Sequence, residues 1–161
     1  FGATGIEGTV EQADIENGEV TVKLEKRYKG RLSDFKGRVA HFKNNYRSTV
    51  HPILATNLKK DRLTIKIKDD LLVGKLRLDK LESGVLQTET SMSFQKHYDG
   101  TSLLNDKFEP VGKIVRLNNG KIEMAAPPAL PLRKNQILWI SNVGTGDKLR
   151  IEPVFSWNSQ D

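Results

Sequence analysis

The sequence predicts a mainly β protein: an antiparallel β-barrel or sandwich built from hairpins, with one amphipathic basic helix inserted after the first hairpin. Short runs of alternating apolar and polar residues recur between clusters of turn residues, the pattern of half-buried strands in barrels and sandwiches. Two Asn-Gly pairs, Asn17-Gly18 and Asn119-Gly120, supply the positive φ angles that tight hairpins need. A third observation is a segment of different texture, Tyr28 to Ser48, which divides into three sevens: YKGRLSD, FKGRVAH and FKNNYRS.

Taken in order, Gly8 to Leu24 predicts a hairpin, with Val10 and Ile15 on one arm and Val20, Val22 and Leu24 alternating on the other. The heptads follow. Tyr28, Leu32, Phe35, Val39, Phe42 and Tyr46 are spaced 4, 3, 4, 3 and 4, the period of an amphipathic helix. On that helix Lys29, Lys36, Lys43 and Arg47 border the apolar stripe on one side and Arg27, Arg31 and Arg38 on the other. Gly30 and Gly37 oppose a helix, each by about 1 kcal/mol relative to Ala. The competing picture is a set of tight turns at the Lys-Gly and Asn-Asn pairs between short strands.

Arg47 to Asn57 is expected to be an irregular crossing, because Pro52 has no ladder donor. Leu63, Ile65 and Ile67 then alternate with Arg62, Thr64, Lys66 and Lys68 before a break at Asp69-Asp70. Leu76, Leu78 and Leu81, a turn at Glu82-Ser83-Gly84, and Val85 to Phe94 continue an antiparallel meander. His97 to Pro110 is expected as a loop, followed by a second hairpin from Val111 to Met124 around Asn119-Gly120. Residues 125–135, rich in proline, form a stiff connector in which no central strand fits. Ile137 to Ser141 is an apolar strand, Val143 to Asp147 a hairpin turn, and Lys148 to Phe155 the last strand, with a polar tail beyond. All this is expected to form one domain, 1–161, with 25–48 as the basic amphipathic insertion.

Charge singles out that insertion. Lys26 to Arg47 holds eight Lys or Arg against one acid, Asp34, a net +7 in a chain whose total is +6. The rest is near neutral, so anion affinity is expected in this segment. No apolar run approaches the roughly 20 residues that a membrane helix needs. Cysteine is absent, which removes disulfides and thiolate metal sites.

Catalytic signals are missing as well. His41, His51 and His97 have no metal-ligand spacing, no Gly-x-Ser-x-Gly elbow is present, and Gly144-Thr145-Gly146-Asp147 lacks the Lys-Ser/Thr ending of a phosphate loop. No catalytic residue, metal or cofactor is expected, and the chain is read as a non-enzyme. The first residue is Phe1, which points to a processed product or an excised domain and leaves the compartment open.

The expected function is a nucleic-acid-binding module that contacts RNA or DNA backbone, independently of sequence, through Arg27, Lys29, Arg31, Lys36, Arg38, Lys43 and Arg47. The alternative is a structural or assembly subunit of a virion, phage tail or secretion apparatus, in which the same segment packs on an acidic neighbouring chain. Contact of the helix with an anionic membrane surface ranks third.

Overall fold

The computed structural model describes residues 5–35, 37–67, 71–82, 85–88, 98–118 and 120–152. They form twelve strands and one 3-10 turn, Leu32–Phe35, in two compact units. The first unit comprises Phe1–Lys43, Ser48–Asp70 and Gly146–Asp161, and the second Asn44–Arg47 and Leu71–Thr145. The breaks expected at Asp69-Asp70 and Ser83-Gly84, the strand end at Phe94 and the polar tail lie outside the described residues.

In the first unit, β1 (Ile6–Asp14), β2 (Glu19–Leu24), β3 (Val39–Lys43), β4 (Ser48–Lys59), β5 (Arg62–Ile67) and β12 (Lys148–Ile151) close into an antiparallel barrel in the order β1-β12-β3-β4-β5-β2. Period-two burial builds it. Val20, Val22 and Leu24 of β2, Leu63, Ile65 and Ile67 of β5, and Leu149 and Ile151 of β12 all point inward. The β1–β2 hairpin turns at Asn17-Gly18 as expected, with Gly18 at φ 66° and Asn17 donating its backbone N–H and side-chain amide to the Asp14 carboxylate at 3.2 and 2.8 Å.

The second unit has its own ring. β6 (Leu72–Glu82), β7 (Val85–Thr88), β8 (Ser102–Leu104), β9 (Pro110–Asn118), β10 (Lys121–Met124) and β11 (Ile137–Ser141) close in the order β10-β7-β6-β11-β8-β9. Leu78, Leu86, Leu103, Ile114, Ile122 and Leu138 are among the side chains that fill it. Numbered by order of appearance within each barrel, the strands of both rings run 1-2-5-4-3-6, and the second barrel is inserted between the fifth and sixth strands of the first. Closure leaves neither ring with a free edge for another chain to pair with.

The inserted helix is absent: among the described residues there is no α-helix at all. Residues 25–31 are irregular, Leu32–Phe35 makes one 3-10 turn, and the chain then enters β3. The backbone gives the reason. Gly37 sits at φ 78°, a left-handed angle that ends any right-handed helix, and the Arg38 N–H bonds back to the Phe35 carbonyl at 3.0 Å. The apolar stripe divides accordingly: Phe35 and Phe42 are buried in the first barrel while Tyr46 is 48% exposed. In β3 the operative period is two, with Ala40 and Phe42 inside and His41 and Lys43 outside.

Three further expectations change. Arg47 to Asn57 is largely strand, because Pro52 pairs with Val39 between the bonded positions of the β3–β4 ladder, where the Ile53 N–H reaches the Arg38 carbonyl at 2.8 Å. The expected loop from His97 to Pro110 contains β8, whose three residues are all buried. Val143 to Asp147 closes no hairpin, since β11 pairs with β6 and β8 whereas β12 pairs with β1 and β3. The proline-rich connector does hold no strand, and runs between β10 and β11.

Candidate nucleic-acid interface

Alternation fixes the outer face of the first barrel. Along β12, Leu149 and Ile151 turn inward, which sends Lys148 and Arg150 out; along β3, Ala40 and Phe42 do the same for His41 and Lys43. The β3–β12 register then places Lys148 directly opposite Lys43 and Arg150 directly opposite His41. Extended to the flanking strands, one row reads Glu7, Arg150, His41, Val50 and the next Thr9, Lys148, Lys43, Ser48, from β1 across to β4.

Glu7, Arg150 and His41 of the first row and Lys148, Lys43 and Ser48 of the second line an open groove of about 510 Å³, which Glu25 and Glu152 also border. Its cations are handled differently from one another. Arg150 pairs with Glu152 at 3.2 Å, an exposed contact of modest value. The Lys148 ammonium donates to Thr9 Oγ1 at 3.0 Å, toward β1 and away from Lys43. Lys43 has no ion pair among the described residues. Like charges directly opposite in a ladder are destabilising, so Lys43 and Lys148 form a position where a bound anion offsets a cost already present in the fold.

No protein-family model, curated protein or solved structure matches this chain.

Of the seven cations singled out by sequence, the fold brings Lys43 into the groove, while Arg38 does not line it and its Nε donates to the Glu152 carbonyl at 3.3 Å. Arg27, Lys29 and Arg31 are exposed in the irregular stretch after β2 and make no ion pair among the described residues. Arg47 belongs with the second unit, where its Nη2 donates to Asn142 Oδ1 at 2.5 Å. Lys36 lies outside the described residues. There are thus no two rails of charge; the helical wheel that drew them has no helix beneath it.

Lys148 and Arg150 escaped the sequence reading, whereas His41 was expected to face outward, on the polar back of the helix, and does so from a strand. The available signal was the two-residue period in VAHFK and KLRI; that the two runs are neighbours in space was not in the sequence, since about a hundred residues separate them.

Elsewhere the chemistry is sparse. In the second unit Lys113 Nζ donates to Ser102 Oγ at 2.5 Å, the spacing of a nucleophile and its base. However, Ser102 is only 2% exposed, and Gly144 lies so close that a Cβ there would fall 1.9 Å from Ser102 Oγ, so a substrate has no approach along that side. Among the described residues no group of three His, Asp or Glu is placed to hold a metal ion, and no helix is long and apolar enough to cross a membrane.

Proposed function

We propose that this protein binds the phosphate backbone of nucleic acid, without base-sequence preference, on the outward face of β3 and β12. The observation that carries the reading is the opposition of Lys43 and Lys148 in the ladder, with Arg150 and His41 in the adjacent row. A phosphate that draws the Lys148 ammonium away from Thr9 and also meets Lys43 gains two charge-assisted contacts at a like-charged position. Lys43 and Lys148 are point charges without a planar fork, and the fork of Arg150 is engaged by Glu152, which favours contact with the backbone over sequence readout.

A salt titration with a random-sequence oligonucleotide tests this. Affinity should fall as salt rises, and Lys43→Glu with Lys148→Glu should weaken binding and flatten the salt slope by about two contacts. Affinity indifferent to salt, or unchanged in the double variant, would sink the proposal.

A second reading, a subunit that docks on a neighbouring chain, draws on Leu54. It is the extra residue of a bulge in β4, opposed by no partner in β5, and is 51% exposed. A large apolar side chain held outward at a bulge suits a protein contact. Native mass measured over rising concentration, alone and in cell extract, separates the two: a strict monomer with no protein partner removes the second.

A further inference from the structure

We propose that the groove on β3 and β12 accepts a single, unpaired nucleic-acid strand running along the two strands, and that it excludes a duplex. This rests on the backbone-binding reading above and narrows it to one substrate class.

The first reason is the width of the positive strip, which three bordering carboxylates, Glu7, Glu25 and Glu152, confine to the strands that carry Lys43, Lys148 and Arg150. It is two strands across, bounded on the β1 side by Glu7 beside Arg150 and on the β4 side by Val50 beside His41. Adjacent strands stand about 4.8 Å apart. A duplex presents two phosphate chains, separated by roughly 6 Å across the minor groove or 12 Å across the major groove. When one chain occupies the cations, the other falls over the Glu7 carboxylate or over apolar Val50. Neither meets a phosphate favourably.

Spacing along the strip is the second reason. Along β12 the cations Lys148 and Arg150 stand two residues apart, an advance of about 6.7 Å, so successive rows meet successive phosphates of one extended chain. The third reason lies just outside the groove on β4, two residues beyond Ser48. Val50 is 48% exposed and lies directly across from His41. An imidazole next to an apolar surface offers a base a face to rest on, and only an unpaired base is free to turn toward it. A single strand thus places phosphate on Lys43, Lys148 and Arg150 and base on His41 and Val50, whereas a duplex keeps its bases stacked inside.

The test compares three probes on the full chain at one salt concentration by fluorescence anisotropy: a short oligothymidylate, a duplex of the same length, and inorganic polyphosphate as competitor. The single strand should bind at least about tenfold more tightly than the duplex, equivalent to 1.4 kcal/mol. Val50→Ser and His41→Ala, both at exposed positions, should lower oligothymidylate affinity and leave competition by polyphosphate unchanged; Lys43→Glu should weaken both. Duplex binding equal to or tighter than single-strand binding overturns this inference and leaves the backbone reading standing. Equal effects of Val50→Ser and His41→Ala on oligothymidylate and polyphosphate, or no effect on either, also overturn it. Failure of all three probes to bind overturns the backbone reading itself.

Discussion

The ring of Tyr28 meets the ring of Phe35 edge-on, with centroids 5.0 Å apart and planes at 67°. The two aromatics are seven residues apart, as a helix with a heptad stripe would have them, yet no helix joins them. Residues 29–31 are irregular, and one 3-10 turn swings Phe35 into the core of the first barrel. Phe35→Ala is therefore expected to cost about 3 to 5 kcal/mol through lost burial and a residual cavity. Tyr28→Ala, which removes a half-buried ring and an edge contact, should cost about 1 kcal/mol. Urea unfolding of both variants checks the ratio; equal costs would mean that Phe35 is not the anchor.

Two glycines of the first barrel should respond to alanine for different reasons. Gly37 holds φ 78° with nothing within 4 Å of where a Cβ would stand, so Gly37→Ala is expected to lose only the left-handed penalty, about 1 to 2 kcal/mol. At Gly8 a Cβ would fall 2.5 Å from the Lys23 carbonyl oxygen and 2.6 Å from Val22 Cγ1, so a strand must shift. Gly8→Ala should be the more damaging of the two by thermal unfolding. The reverse order would contradict the close approach of β1 and β2.

Lys43→Glu should have effects of opposite sign on folding and binding. Replacing one member of a like-charged cross-strand pair with an acid is expected to raise stability by roughly 0.2 to 1 kcal/mol, while affinity for a polyanion falls. Calorimetry and a binding isotherm on the same sample read both. A variant that loses stability and affinity together would indicate that Lys43 is a folding residue.

In the second barrel, buried Asn105 organises a tight turn: its Oδ1 accepts the N–H groups of Lys107 and Glu109, both at 2.9 Å, and its Nδ2 donates to Glu109 Oε1 at 2.9 Å. These bonds hold Phe108 at φ 64°, with its ring 5.3 Å from Trp139. Asn105→Ala strips acceptors from two backbone donors and should cost about 1 to 3 kcal/mol. It should also alter Trp139 fluorescence as the Phe108 contact loosens. An unchanged emission spectrum would show that the aromatic pair stands without the turn.

Legibility in the sequence tracked how locally each feature is encoded. The two Asn-Gly hairpins and the alternation of Leu63, Ile65 and Ile67 were readable because each is set by residues within a few positions of one another. The segment from Tyr28 to Ser48 misled for the same reason. Its 4-3 spacing satisfies a helix locally, but the same residues satisfy a turn followed by a strand, and burial of Ala40 and Phe42 in a closed barrel settled the contest. The candidate site was half legible: Lys43 stood out by charge density, whereas Lys148 and Arg150 were indistinguishable from any solvated strand face.

By itself, then, the sequence determined that the chain is mainly β, where its Asn-Gly turns fall, and that cations crowd between Lys26 and Arg47, since composition and local periodicity are properties of neighbours along the chain. Only the tertiary structure decided that there are two barrels of one strand order, that no α-helix occurs among the described residues, and that Lys43 stands opposite Lys148. Pairing of distant strands is chosen by ring closure and shared burial, and no short stretch of sequence contains either.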